Sequence, residues 1–128
     1  MELVTHNPAD GVYAATLDYA HALEVRGTSR TLFVSGTMGL DAGGVAPASL
    51  DAQLSLIWAN VRAILAAADM TLDNVVRVTS YLRDGAFAER NAAARNAALG
   101  GRLIPTTAIV VETLAPDWLV ELEVIAVA

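Results

Sequence analysis

Apolar residues recur along this chain with two different periods, and the switches between them divide it into elements. From Leu50 the positions Leu50, Leu54, Ile57, Val61, Ile64, Leu65 and Ala68 follow the three-four spacing of one helical face. Ser49 stands where a helix N-cap belongs, after the turn signal Asp41-Ala42-Gly43-Gly44 and Pro47. Asp51, Gln53, Ser55, Asn60 and Arg62 fall largely off that stripe, so the helix has one apolar side, and a sheet is its natural partner. Ala86 to Leu99 predicts a second, Ala-rich helix with Phe87, Asn91, Ala94 and Ala98 along one line and Gly100-Gly101 as its stop.

The two-residue period appears elsewhere. Val75 to Leu82 is β-branched and alternating, with Asp84-Gly85 closing it, and Thr106 to Glu112 follows Pro105 as another strand. Val120 to Val127 separates Glu121, Glu123, Ile125 and Val127 on one face from Leu122, Val124 and Ala126 on the other. Tyr19 to Val25 alternates loosely and Thr31-Leu32-Phe33-Val34-Ser35-Gly36 is a compact apolar run; together they predict a hairpin. The order is hairpin, helix, strand, helix, strand, strand. It describes an α+β layer architecture, with both helices available for one side of a mixed sheet.

Composition adds limits. The 128 residues suit a single domain spanning 1–128, and a mean hydropathy of +0.46 is high for a small monomer, which points to oligomerisation. A net charge of −6 repels phosphate backbones, so nucleic acid is not an expected partner. All basic residues are Arg, which removes a Schiff-base lysine from the possible mechanisms, and the lack of Cys removes thiolate chemistry and cysteine metal sites. Met1 to Asp10 lacks the basic-then-apolar pattern of a signal peptide, and the apolar stretches are broken by Arg62, Asp69 and Asp73. The expectation is a cytoplasmic protein without a membrane partner.

Several strings then match a known family. Leu32-Phe33-Val34-Ser35-Gly36-Thr37-Met38-Gly39-Leu40-Asp41 resembles the strand and turn of Rid (YjgF, reactive intermediate deaminase) proteins, and Leu72 to Leu82 resembles their LDNVVKTTVFL segment. Phe87 to Asn91 is similar to the family's DFAxVN helix start, and Val120 to Ala126 to its C-terminal VEIEAIA. The matches run in order over nearly the whole chain. The resemblance implies a chorismate-mutase-like fold assembled as a homotrimer, with small-molecule clefts between neighbouring subunits. It also implies hydrolysis of imines and enamines to ammonia and a carbonyl product, with no metal or organic cofactor.

The resemblance carries residue roles as well. Tyr19 matches the cleft tyrosine, Asn91 the helix asparagine, and Glu121 the glutamate that orients the hydrolytic water, while the Ser35-Gly36 backbone forms a wall. Two departures stand out. The glutamine after that glycine is Thr37 here, and the arginine that binds the substrate carboxylate in typical members is Thr107, within Pro105-Thr106-Thr107-Ala108. A hydroxyl cannot replace a bidentate guanidinium, and loss of such a contact costs on the order of 2–5 kcal/mol. Ordinary amino-acid-derived imines are therefore poor expected substrates. If catalysis went with the arginine, the chain is a ligand-binding trimer instead.

Each candidate also has a plainer reading. Glu121 and Glu123 share a strand face, where both could point into a cleft or pair with arginines at the surface. His21, two residues after Tyr19, shares its face if the segment is a strand and would then act as a base or a replacement cation; otherwise it is a surface histidine. Arg102 either swings to the cleft mouth or is a helix-end charge. Trp58 and Trp118 read as packing residues. His6 is assigned no role and the N-terminus is expected to be loose; no metal-ligand spacing and no phosphate-binding glycine pattern is present.

Overall fold

A computed structural model describes residues 1–128. Six strands and two α-helices follow in the order β1 (Glu2–His6), β2 (Ala22–Arg26), β3 (Thr31–Met38), α1 (Leu50–Ala67), β4 (Val75–Leu82), α2 (Ala88–Ala98), β5 (Thr106–Val110) and β6 (Val120–Val127). The main sheet has the strand order β3-β6-β4-β5, antiparallel except for the parallel β4–β5 pair; β1 and β2 form a separate two-stranded sheet. The α+β class, the mixed sheet and the two helices follow the sequence patterns closely.

Helix α1 starts as expected, with Ser49 Oγ accepting from the Ala52 N–H at 3.1 Å. Leu50, Leu54, Ile57, Val61 and Leu65 are buried against Val34, Val78, Leu82, Val120, Leu122, Val124 and Ala126 of the sheet. Full burial of each such side chain stabilises by about 1.5–3 kcal/mol. Two positions depart from the stripe. Ile64 is exposed, while Gln53 is fully buried because it sits one turn from both Leu50 and Ile57, on the edge of the apolar face.

The hairpin expected from Tyr19–Val25 and Thr31–Gly36 does not form. β2 pairs with β1, in register Glu2 with Arg26 and His6 with Ala22, and β3 pairs with β6. The link between β2 and β3 explains the separation. The N–H groups of Ser29 and Arg30 both donate to the carbonyl of Ala128 at 2.9 Å, which draws the start of β3 to the end of β6. The N-terminus is a strand, tied to β2 by the 2.8 Å bond between His6 Nε2 and Glu24.

Core and chemistry alternate along the same strands. In β4, Val78, Ser80 and Leu82 are buried while Arg77, Thr79 and Tyr81 are not; in β6, Val120, Leu122, Val124 and Ala126 are buried while Glu121 and Glu123 are not. The register places Tyr81 beside Glu121 and Thr79 between Glu123 and Thr107. One face of the sheet thus lies under the helices, and the other presents polar groups.

Candidate active site

Glu121 is the residue around which the open face is shaped. β3 carries a bulge between Val34 and Thr37, so Ser35 and Gly36 leave the regular ladder opposite β6. A Cβ on Gly36 would stand 3.0 Å from Glu121 Cδ and closer still to Oε2. The glycine is what lets the glutamate side chain fold over the strand. Ser35 is exposed beside it.

A groove of about 350 Å³ opens next to this carboxylate, lined by Tyr81, Glu123 and the segment Val111–Leu114. That segment is held firmly. Arg83 donates to Thr113 Oγ1 at 2.7 Å and to its carbonyl at 3.1 Å. The chain that follows, on the way into β6, is held by Gln53, which donates to the carbonyls of Pro47 at 2.8 Å and Asp117 at 2.7 Å and accepts the Leu119 N–H at 3.0 Å. Within the groove the Tyr81 hydroxyl donates to Glu123, and this bond, with burial and the nearby acids, holds the phenol above its ordinary pKa.

The other sequence candidates lie elsewhere. Thr107 is on β5, at the opposite edge of the sheet from Ser35 and Gly36, and its hydroxyl accepts from Arg77 Nη2 at 2.9 Å. Tyr19 and His21 sit in an irregular segment before β2, near the start of β5, where the Ala20 N–H reaches the Ile104 carbonyl at 3.2 Å. His21 is therefore not on a strand face shared with Tyr19. The rings meet all the same, edge to face at 5.6 Å, and His21 Nε2 carries a proton that it donates to the Tyr13 carbonyl at 2.7 Å. Asn91 is buried within α2. One chain thus brings Glu121, Ser35 and Gly36 together and leaves Thr107, Tyr19 and His21 across the sheet.

Arg102 does not reach a cleft mouth. It donates to the carbonyls of Leu72 at 2.7 Å and Val75 at 3.1 Å and so clamps the start of β4. Buried Arg95 plays a similar part for the Tyr19 segment by holding Asp18 at 2.8 Å. The residues that sequence reasoning passed over are Gln53, Arg77, Tyr81 and Arg83. The two-residue period does place Arg77, Thr79 and Tyr81 on one face, but only the β4–β6 register shows that this face is also that of Glu121 and Glu123.

A four-stranded mixed sheet with two helices on one face is a fold shared with known proteins. Residues 12–128 match the family model described as Endoribonuclease L-PSP. The chain belongs to this family, the YjgF/Rid superfamily. A RutC family protein of Pyrococcus horikoshii is 34% identical over 99 residues, covering 74% of this chain and 77% of that one. A RutC family protein of Pyrococcus abyssi is 32% identical over 111 residues, 84% of each. Among solved structures, the Rid-family protein YyfB of Yersinia pestis superposes with a TM-score of 0.84 at 27% identity over the full length of both chains. RidA of an Antarctic Psychrobacter gives 0.72 at 28%, covering 90% of this chain and 92% of that one. No helix is long and apolar enough to cross a membrane.

Proposed function

We propose that the chain hydrolyses a small imine or enamine with release of ammonia, and that Glu121 positions the attacking water. An enamine first becomes the imine by moving its N–H proton to the β-carbon; water then adds to the carbon of the C=N bond, one of its protons passes through the carboxylate to nitrogen, and the C–N bond of the resulting aminol breaks as the hydroxyl proton follows to nitrogen, leaving a carbonyl compound and ammonia. The observation that carries this reading is the Glu121 carboxylate laid over Gly36 beside an open groove. An exposed polar face with a positioned carboxylate suits general acid-base work on a neutral or cationic nitrogen.

The substrate in this reading lacks the usual carboxylate anchor at residue 107, where a threonine hydroxyl stands. The joint site is composed from two copies in a homotrimer, because Thr107, Tyr19 and His21 lie at one edge of the sheet and Ser35 and Gly36 at the other. Exposed Phe33, Ile109, Val110 and Leu114 supply apolar surface for that assembly. Light scattering on the eluted protein tests it: a trimeric mass supports the composite cleft, and a monomer rules it out.

Activity is tested by coupled ammonia release from imines generated in situ, with and without a carboxylate, comparing the wild type with Glu121→Ala and Thr107→Arg. The expected result is turnover of carboxylate-free imines, lost in Glu121→Ala, and a shift toward carboxylate-bearing imines in Thr107→Arg. The absence of a guanidinium at 107 favours one alternative, a non-catalytic small-ligand-binding trimer. That protein is stabilised by its ligand and releases no ammonia above the buffer rate.

A further inference from the structure

The helix side of the sheet carries a second concavity, remote from the open face. Asp51 and Arg90, each in the first turn of its helix, meet at 3.5 Å, so α1 and α2 lie side by side with their N-termini at the same end. Between them runs a groove of about 490 Å³. Buried Leu54 and Trp58 of α1 and half-buried Ala94 and Ala98 of α2 form its floor, and the small side chains of α2 are what keep it open. None of the residues of the hydrolytic groove or of the trimer surface lines it.

Two donors at this groove lack partners. Arg62 stands at the end away from the Asp51–Arg90 pair, about 16 Å along α1 at roughly 1.5 Å per residue. Its side chain is exposed, and no ion pair of the chain includes it. Trp58 is only 4% exposed, yet its indole N–H finds no acceptor. Leu54, Trp58 and Arg62 succeed one another by four along α1, which sets all three on the groove side of the helix. A buried N–H without a partner costs about 1–3 kcal/mol. In a chain of net charge −6, this end of the groove is thus a local cluster of unused donors beside an apolar floor.

We propose that this groove binds an aromatic monocarboxylate. The ligand carboxylate takes a forked pair of donors from Arg62 and, through one oxygen, the Trp58 N–H, while its ring body lies on the floor between α1 and α2. The charge follows from the walls. Asp51 is the one acidic side chain of the groove, and it sits at the far end, already paired with Arg90. The size follows from the volume of about 490 Å³, which holds roughly sixteen groups at about 30 Å³ each, enough for two fused rings and a carboxylate. A flat, rigid body suits a floor of methyl groups because it covers them without losing rotamer freedom on binding.

Heteronuclear NMR on the intact protein tests this, following the backbone amides of Ala94 and Ala98 and the indole N–H of Trp58 during titration with β-naphthoate. β-Naphthylmethanol, which has the rings without the charge, and acetate, which has the charge without the rings, are the partial probes. β-Naphthoate is expected to shift all three signals and to bind about tenfold or more tighter than either partial probe. Arg62→Gln, an exposed replacement that leaves the fold and ammonia release unchanged, is expected to lose that factor, and a folded Ala94→Leu protein, its floor filled, to lose it too. The proposal is overturned if β-naphthoate leaves these signals in place, if it shifts the amides of Tyr81 and Glu121 instead, if β-naphthylmethanol binds as tightly, or if Arg62→Gln binds like the wild type. Shifts of Ala94 and Ala98 on dilution without ligand assign the groove to a second copy of the chain and overturn it as well.

Discussion

Gly36 and Glu121 occupy one another's space: the carboxylate of Glu121 lies where a side chain on residue 36 would have to stand. Gly36→Ala should therefore act through Glu121. Ammonia release is expected to fall by about tenfold or more, toward the effect of removing the carboxylate itself, for which about 10²-fold is the usual scale. The double variant Gly36→Ala/Glu121→Ala gives the check by thermal unfolding. Any stability lost in Gly36→Ala should be recovered once the glutamate is gone, and simple additivity of the two would show that the contact is not the cause.

Gln53 fastens the chain around Asp117–Leu119 that leads into β6. Gln53→Ala removes, from a partly buried place, the partner of the carbonyls of Pro47 and Asp117 and of the N–H of Leu119. A cost of about 1–3 kcal/mol is expected in urea unfolding, the scale for leaving a polar group without its partner. Gln53→Glu should be costly too, because the amide donor is lost and a charge is buried.

Tyr81 and Glu123 make a pH-dependent pair. The Glu123 bond raises the phenol above its ordinary value of 10.0. A raised folded pKa contributes stability that is whole below the unfolded value and is lost as pH climbs through the folded one. In an ultraviolet titration one of the three tyrosines should ionise late, and Glu123→Gln should return that transition to the ordinary range. An unchanged transition would assign the shift to another cause.

Asp18 works in the opposite sense. The Thr16 hydroxyl, above all, and then the Arg95 guanidinium hold its carboxyl below the ordinary 3.8, against the effect of burial. A lowered folded pKa contributes stability present above the unfolded value and lost as pH falls through the folded one, hence below about pH 4. Asp18→Asn should cost about 1 kcal/mol at neutral pH, the side chain being 37% exposed and partly screened, and should flatten the acid limb of the stability curve. Denaturant midpoints measured from pH 7 down to pH 3 decide it.

Most of the fold could be read from periodicity, and the reason is local. Helix α1, β4 and β6 each carry a dominant period, with few departures, so neighbours in sequence largely suffice to define them. The hairpin expectation failed where partner choice is set at long range, by Ala128 capturing the amides of residues 29 and 30. The site was legible in part for the same reason. Glu121 and Glu123 share a face by parity alone, and Thr107 and Gly36 came with the family strings. The roles of Arg77 and Tyr81 depend on strand register, and those of Gln53 and Arg95 on burial, neither of which a polar residue declares in sequence.

The alternation of β4 and β6 has a consequence for how such proteins diverge. Residues that keep the chain folded and residues that meet a ligand are interleaved on the same strands, one position apart, yet project to opposite sides of a single layer. Replacing Arg77, Thr79, Tyr81 or Glu123 need not disturb Val78, Leu82, Leu122 or Val124. A lineage can thus exchange its chemistry residue by residue while its thermodynamic foundation stays fixed, and two descendants with the same scaffold need share no ligand at all.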